Sequence, residues 1–416
     1  MSEGGHRVVV GVGGGIAAYK TAELVRRFTE RDDDVTVIPT SSALHFVGAA
    51  TWEALSGHTA SDSVWTGTSE VRHVRLGREA DLVVVAPATA DLIARAAAGM
   101  ADDLLAATLL TTTAPVIFAP AMHTEMWENP ATQANVALLR ERGHTVMEPA
   151  VGRLTGADTG KGRMPEAAEI HQVAQVALAR RGAGLAHDLA GLRVVVSTGG
   201  TREALDPVRF LGNRSSGRQG LALALVAAAR GAEVTVVAAN VAADGPLGSP
   251  MIRVTSARDL HSAVLDLASD ADVVVMAAAV ADYRPATVAG HKIKRGSGGV
   301  PEVLLEENPD VLADLARRRA QGELSSRLTL VGFAAETGDE SGSVLDHGRA
   351  KLAAKGCDLL VVNEVGESLG FDKPDNGGVI LAAGGTAIEV PHGPKAVLAS
   401  YLWDEVVGQR ESLADG

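Results

Sequence analysis

The sequence predicts an α/β chain of two doubly wound, parallel-sheet domains, and three observations carry that prediction. Short continuous apolar runs alternate with longer amphipathic stretches, the pattern of buried parallel strands and covering helices. The two halves open alike: Arg7-Val8-Val9-Val10 runs into Gly11 to Gly15, and Arg193-Val194-Val195-Val196 runs into Ser197-Thr198-Gly199-Gly200-Thr201. Hydrophobic residues make up 46%, yet only 4 Trp, 3 Tyr and 6 Phe stand against 46 Gly, so the core is built mostly from Ala, Val and Leu. Such small side chains suit helices packed closely on a buried parallel sheet. The 416 residues fit two or three domains, at roughly 150 residues each.

The elements follow in order. Strand Arg7–Val10 leads through the glycine loop into a helical pattern ending near Arg27, and Val35–Ile38 is the second strand. Val71–Leu76 alternates like a strand, Ala80–Val85 is the next buried run, and another ends at Phe118. In the second half Val234–Val237 and Ala271–Val275 repeat the second and third steps, with a helix starting near Gln219. A run ending at Val331, a strand Asp358–Asn363 and a last helix Pro394–Val407 complete it. Arg181–Gly191, with three glycines and a His-Asp pair, separates the halves and sets domains of 1–185 and 192–416. Ligands of open parallel sheets sit beyond the carboxyl ends of the strands. That rule points to the segments after Val10, Ile38, Val85, Phe118, Val196, Val275 and Val331.

Composition removes several classes of function. A net charge of −13 with no Lys/Arg-rich block argues against nucleic acid as a partner. One cysteine excludes a disulfide framework and a zinc site of several thiolates. The start, Met1-Ser2-Glu3-Gly4-Gly5, does not read as a signal peptide. Apolar runs are cut by Asp or Arg well before the ~18 residues of a membrane span, so a cytoplasmic protein is expected.

The glycine loops are not standard nucleotide fingerprints. Gly11-Val12-Gly13-Gly14-Gly15-Ile16 has Ile16 where a dinucleotide loop needs its third glycine, and the second strand ends in Pro39-Thr40-Ser41-Ser42 without a ribose-binding acid. A nicotinamide oxidoreductase is disfavoured on both counts. Gly160-Lys161-Gly162 has neither the spacing nor the following residue of a P-loop. Two readings remain: a phosphate site at a helix N-terminus, with the hydroxyls of Thr40 and Ser42 nearby, or a tight strand-to-helix turn without a ligand.

Gly14-Gly15-Ile16-Ala17-Ala18-Tyr19-Lys20, Val71–Leu76, Ala86-Pro87-Ala88-Thr89-Ala90-Asp91, Ala98–Leu104 and Pro120–Trp127 together resemble the homo-oligomeric flavin-containing cysteine decarboxylases. The whole chain, over roughly residues 6 to 407, is similar to the bacterial, CTP-dependent bifunctional phosphopantothenoylcysteine decarboxylases and phosphopantothenate–cysteine ligases of coenzyme A synthesis. The resemblance implies two Rossmann-like domains, the first binding FMN. There FMN oxidises the substrate's CH2–SH to a thioaldehyde, an electron sink for the departing CO2, and the reduced flavin returns the hydride. It implies Gly13, Gly14, Gly15, Ile16, Thr40, Ser42, Pro87 and Thr89 as cofactor-binding residues and His73 as base or orienter near the thiol. Met122 and His123 would face the substrate, His123 standing where the family has the Asn that binds the carboxylate; its charge depends on pH. The family's flap cysteine, the final proton donor, falls on Gly156, leaving Asp158, Thr155 or water for that step.

In the second half, Gly199–Glu203 and Asp206–Gly217 gather glycine turns, hydroxyls and Arg202, Arg209 and Arg214 ahead of a helix. Read alone, Ser215-Ser216-Gly217 fits a flexible loop as well as a phosphate-binding turn, and Lys292-Ile293-Lys294-Arg295 reads as a solvated basic face; a buried run ending in Asp282-Tyr283-Arg284-Pro285 is not explained by packing. The resemblance implies Asn213 and Lys292 as catalytic, Lys292 meeting the charge that develops on the reacting phosphate. Arg209, Asn213, Ser215 and Ser216 would bind substrate. Met276, Ala277, Ala278, Asp282, Lys292, Pro309, Asp310, Val311, Leu312, Phe333, Lys351 and Lys355 would bind CTP, with Asp282 on Mg2+ or Mn2+. Lys351 and Lys355, at i and i+4, would point one way from a helix. The implied partners are 4′-phosphopantothenate, L-cysteine, CTP and further copies of the chain, as trimers assembled into a dodecamer. A flavin-binding regulator without activity is the competing class; it lacks the expected acidic tail, and His73 is retained.

Overall fold

The computed structural model describes residues 5–63, 71–154, 158–180, 184–294, 302–336, 343–364 and 375–414. Thr155 and Gly156 of the flap, Arg295 and residues 181–183 of the separating stretch lie outside the described residues. The chain divides into two compact units: Met1–Asp188 with Ala228–Gly231 and Pro246–Gly248, and Leu189–Ala227 with Ala232–Gly245 and Ser249–Gly416.

The first unit is built on five parallel strands, β1 (Arg7–Val12), β2 (Asp34–Pro39), β3 (Leu82–Ala88), β4 (Val116–Pro120) and β5 (Thr145–Val146), in the order β2-β1-β3-β4-β5. Helices α1 (Ala18–Thr29), α2 (Ala49–Ser56), α3 (Arg72–Glu79), α4 (Ala90–Ala98), α5 (Leu104–Thr111), α6 (Thr124–Trp127), α7 (Pro130–Glu141) and α8 (Ala167–Ala179) accompany them, and a hairpin, β6 (Ala150–Arg153) with β7 (Thr159–Arg163), follows β5. The sheet has no solvent-facing side in its centre: all seven residues of β3 are buried, which is why they read as one apolar run. Its core packs Val9, Ile38, Val83, Val85, Leu105 and Phe118 against Leu92, Ile93 and Leu139. From β1 the chain goes outward to β2 and then returns to the other side as β3. That reversal opens a crevice between the carboxyl ends of β1 and β3, where open sheets bind ligands.

Val71–Leu76 is not a strand: His73 sits in the first turn of α3. Six residues are too few to separate a period of 2 from one of 3.6. Packing decides: Gly77, one turn on from His73, is pressed so closely on Thr111 of α5 that an added Cβ would clash.

The second unit carries eight strands in the order β12-β11-β8-β13-β16-β17-β18-β19. These are β8 (Arg193–Gly199), β11 (Glu233–Ala239), β12 (Met251–Val254), β13 (Val273–Met276), β16 (Thr329–Glu336), β17 (Leu359–Glu364), β18 (Asp375–Ala382) and β19 (Ala387–Pro394). Pairing is parallel as far as β17, and β18 and β19 then add an antiparallel margin that the sequence reading left out. Two short ladders, β9 (Arg202–Ala204) with β10 (Phe210–Gly212) and β14 (Tyr283–Pro285) with β15 (Leu305–Glu307), stand apart from the sheet. Helix α9 (Arg218–Ala229) follows β8, and the last helix, α13 (Lys395–Ala414), runs beyond the expected Val407. Trp403 of α13 is fully buried and donates its indole N–H to the Leu223 carbonyl of α9 at 3.0 Å, so these two helices pack together. Helices α10 (Ala257–Ala268), α11 (Val311–Ala320) and α12 (Val344–Lys355) share a separate core with Val274, Leu330 and Leu360 of the sheet. The reversal of strand order falls between β8 and β13, and a second crevice opens there.

Candidate active sites

In the first unit the crevice is a cavity of about 870 Å3 lined by Gly13, Gly14, Gly15 and Ile16 after β1, Thr40 and Ser42 after β2, and Thr89 after β3, closed by Met122, His123, Met126 and Met164. Its glycines are there for space. The Gly13 N–H donates to the Pro87 carbonyl at 3.1 Å, and a side chain at Gly14 would collide with Ser42. Gly15, by contrast, has only Thr89 within reach among the described residues, at 3.9 Å, so the loop presents open backbone to the cavity. Thr40 is buried and its hydroxyl is occupied: it donates to the Val12 carbonyl and accepts from the Ala43 N–H, both at 3.2 Å. Ser42 is exposed at the mouth, and Thr89 caps α4 by accepting from the Leu92 N–H at 3.3 Å. Pro87 shapes the loop through its carbonyl and does not line the cavity.

His123 lies at the N-cap of α6, exposed to the cavity. The hairpin strand β7 lies against this loop: the Met122 N–H donates to the Gly162 carbonyl at 3.0 Å, and a Cβ at Gly160 or Gly162 would strike Thr124 or Met122. Close approach of two backbones accounts for Gly160-Lys161-Gly162, while Lys161 pairs with Glu148 at 2.6 Å. Asp158 is exposed at the start of β7, its carbonyl held by the Leu154 N–H at 2.8 Å; it does not line the cavity. Neither does His73, whose backbone carbonyl accepts from Thr111 at 3.0 Å.

The sequence reading missed Lys20 and Arg95, both cavity residues. Arg95 is clasped by Asp91 and Asp102 at 3.1 Å and by Asp103 at 2.8 Å. Burial works against its charge, but Asp103 and then Asp102 outweigh it and hold the guanidinium protonated. This explains the acidic pair after Met100: Asp103 caps α5 through the Ala106 N–H at 2.7 Å and anchors Arg95 as well.

The second cavity, of about 920 Å3, is lined by Asn213 to Gly220, Met276 to Tyr283, Asn308 to Leu312, Phe333, Lys351 and Lys355. Its loops are tied to the strand ends. Thr198 donates to the Gly217 carbonyl at 2.7 Å, Asn213 to the Val280 carbonyl at 2.9 Å, and Asn308 to the Ala281 carbonyl at 2.8 Å. Gly217, at φ 74°, gives the turn before α9, and Ser215 accepts from its N–H at 3.3 Å. Asp282 is exposed to the cavity, and Asp310 caps α11 while pairing with Lys355. Lys351 and Lys355 both line the cavity.

Arg209 and Lys292 are not among the lining residues. Arg209 grips Asp206, Nε to Oδ2 at 2.9 Å, and also donates to the Ile293 carbonyl at 2.6 Å, while the Ile293 N–H reaches Asp206 at 3.1 Å. Burial alone would raise the Asp206 carboxyl, yet Arg209 and the N–H groups of Val208, Ile293 and Arg209 hold it far below the usual carboxylate range. This arrangement pins the segment that carries Lys292. Missed altogether were Gln219, Asn363, Asn376 and Lys395, which line the far side of the cavity.

A family model described as "Flavoprotein" matches residues 1–178, and one described as "DNA/pantothenate metabolism flavoprotein C-terminal domain" matches residues 189–409. The chain is 58% identical over 401 residues to the Coenzyme A biosynthesis bifunctional protein CoaBC of Mycolicibacterium smegmatis, covering 96% of this chain and 97% of that protein. The chain belongs to the CoaBC family. The CoaBC protein of Vibrio cholerae is 43% identical over 380 residues, 90% of this chain and 92% of that protein. A crystal structure of the C-terminal domain of a CoaBC protein is 33% identical, covering 55% of this chain and 100% of that chain with a TM-score of 0.45. As a CoaBC protein, the chain is a bifunctional enzyme of coenzyme A biosynthesis, a flavoprotein decarboxylase and a ligase in one polypeptide. Among the described residues no helix is long and apolar enough to cross a membrane.

Proposed function

We propose that the first unit binds FMN and decarboxylates 4′-phosphopantothenoylcysteine to 4′-phosphopantetheine, and that the second makes that substrate from 4′-phosphopantothenate, cysteine and CTP. The observation that carries this reading is the pairing of one glycine-built cavity with each unit, each at the reversal point of its sheet. In the first, open backbone at Gly15 and the Ser42 hydroxyl fit a phosphate, while Ile16, Met122, Met126 and Met164 fit an apolar ring system. FMN, when bound, supplies the oxidation of the substrate's CH2–SH and the return of hydride. The chain supplies the rest: His123 orients the carboxylate, with the Met122 side chain beside it, and His73 takes the thiol proton. Asp158, Thr155 or water returns a proton after CO2 has left.

His73 lies outside the lining of its own chain's cavity, so the reading has copies of the chain assemble with α3 of one reaching the cavity of another. Ile16, Tyr19 and Met126 at the rim, 66%, 60% and 47% exposed, are the apolar surface such an assembly covers. Trimers assembled into a dodecamer are the proposed form. Mixing His73→Asn chains with Gly14→Val chains tests it: activity returns in mixed oligomers and stays absent if each cavity uses its own histidine.

In the second unit the carboxylate of 4′-phosphopantothenate attacks the α-phosphorus of CTP and pyrophosphate leaves. The amine of cysteine then attacks the acyl carbon and CMP leaves. Asn213, Ser215 and Ser216 hold the acyl-cytidylate. Lys292, pinned through Asp206 and Arg209, meets the charge on the reacting phosphate. Asp282 would offer its carboxylate to Mg2+ or Mn2+, since a hard cation takes oxygen ligands, and the cation would offset the charge of the nucleotide phosphates. Purified protein reconstituted with FMN is expected to be yellow and to release pyrophosphate with CTP. A colourless protein removes the decarboxylase reading, and absence of pyrophosphate release removes the ligase reading.

A further inference from the structure

The second cavity has two unlike walls. One is formed by α11, the β13–β14 loop and α12, with Phe333, Val311 and Leu312; it holds the acids Asp282, Glu307 and Asp310 together with Lys351 and Lys355, the latter paired with Asp310. The other is formed by the loop into α9, the start of β18 and the start of α13. Its lining residues, Asn213 to Gly220, Asn376 and Lys395, include no acid and bring Arg214, Arg218 and Lys395. Lys395 is the first residue of α13 and only 8% exposed. Lysines are rarely buried so far. Its ammonium donates to the Asp375 carbonyl at 3.2 Å, and its own carbonyl accepts from Gln219 of α9 at 3.3 Å. Gln219 in turn accepts from Asn376 at 3.0 Å. This chain of bonds sets Lys395 against the first turn of α9, so two helix N-termini and a buried ammonium meet at one place.

Resting on the reading of this cavity as a CTP site, we propose that Lys395 is a further residue of the ligase, holding the β- and γ-phosphates. The apolar and acidic wall takes the base and ribose; the Lys395 wall takes the polyphosphate, whose charge the two helix ends and the ammonium favour. In the first half-reaction a carboxylate oxygen bonds to the α-phosphorus. The bond from that phosphorus to the oxygen bridging to the β-phosphate breaks, and its electron pair leaves with pyrophosphate. Lys395 stands at that leaving group, whereas Lys292 serves the reacting phosphate. Its contribution therefore grows with the number of phosphates on the nucleotide.

The test is calorimetric titration of the full chain with cytidine, CMP, CTP and inorganic pyrophosphate. The wild type is expected to bind CTP more tightly than CMP, and pyrophosphate is expected to compete with CTP. In Lys395→Gln, CTP affinity falls by about tenfold or more, the loss of one charge-assisted bond, while cytidine and CMP are unchanged and pyrophosphate competes more weakly by a similar factor. Lys395→Arg keeps part of the preference. Equal weakening of cytidine, CMP and CTP makes Lys395 purely structural and overturns the proposal, as does an unchanged CTP-to-CMP ratio. If wild type binds no cytidine nucleotide, the reading of the cavity itself fails. Should Lys395→Gln not fold, a structure of the wild type with a non-hydrolysable CTP analogue decides. An ammonium at hydrogen-bond distance from a β- or γ-phosphate supports the proposal, and the base at that position overturns it.

Discussion

Gly220, in the first turn of α9, is a position where helix propensity and packing oppose each other. Alanine is favoured over glycine in a helix by about 1 kcal/mol, so sequence alone expects Gly220→Ala to stabilise. An added Cβ, however, would lie closer to Cβ and Oγ1 of Thr198 than real contacts allow, and 3.0 Å from the Ser197 carbonyl. Thr198 cannot yield, because its hydroxyl is bonded to Gly217 and its strand is flanked by β11 and β13. Helix α9 must retreat by roughly 1 Å to restore carbon–carbon separation. Overpacking of this kind costs about 1–3 kcal/mol, so the net effect is a loss of about 1 kcal/mol rather than a gain. The same retreat withdraws Gly217 to Gln219 from the cavity. Hydrogen bonds to a charged group are worth about 1.5–3 kcal/mol each, so one lost bond raises the KM for CTP by about tenfold or more. The assay is pyrophosphate release against CTP concentration, with decarboxylation of supplied 4′-phosphopantothenoylcysteine as the internal control. A Gly220→Ala chain that melts higher and keeps its KM would refute the close-packing account of this loop.

Three further outcomes are expected. His171 of α8 is buried edge-on against Phe28 at 5.0 Å, its Nε2 without a hydrogen-bond partner among the described residues, and burial, then Arg31 and Arg27, push its pKa down from 6.5 to about 4. The unfolded chain therefore takes up a proton that the folded one refuses, and stability falls as pH drops through that window, by up to about 3 kcal/mol. Thermal denaturation at pH 7 and pH 4.5 should show a smaller acid loss in His171→Leu, and an equal loss contradicts the assignment. Arg209→Ala should slow ligation and weaken CTP binding together by releasing Ile293 and with it Lys292, while decarboxylation of supplied 4′-phosphopantothenoylcysteine is unchanged; an unchanged ligation rate contradicts the anchoring of this segment. Asp158→Asn should still release CO2 but accumulate an oxidised ene-thiol product, and normal 4′-phosphopantetheine formation eliminates Asp158 as the donor.

What the sequence made legible follows from burial. Strands such as β3 and β13 are enclosed on both faces, so they read as unbroken Val-rich runs, and the loops at their ends mark both crevices. Segments whose conformation is set by neighbours were not legible. The turn of α3 that carries His73 is decided by contact with Thr111, on a helix nearly forty residues away in the chain. The Lys395 wall is less visible still: Asn376 and Gln219 are 157 residues apart and meet only because of the strand order. A lone Gln, Asn or Lys carries no motif. Some glycines had a structural reason that spacing could not separate from a phosphate loop, as Gly160 and Gly162 show by their approach to Thr124 and Met122.

The division of two chemistries between two cavities is tested most directly by mass spectrometry of the products that His73→Asn and Lys292→Gln full-length chains form from 4′-phosphopantothenate, cysteine and CTP. The His73→Asn chain should accumulate 4′-phosphopantothenoylcysteine without 4′-phosphopantetheine. The Lys292→Gln chain should form neither from these substrates, yet decarboxylate 4′-phosphopantothenoylcysteine supplied to it. Loss of both activities in either folded variant would contradict the division.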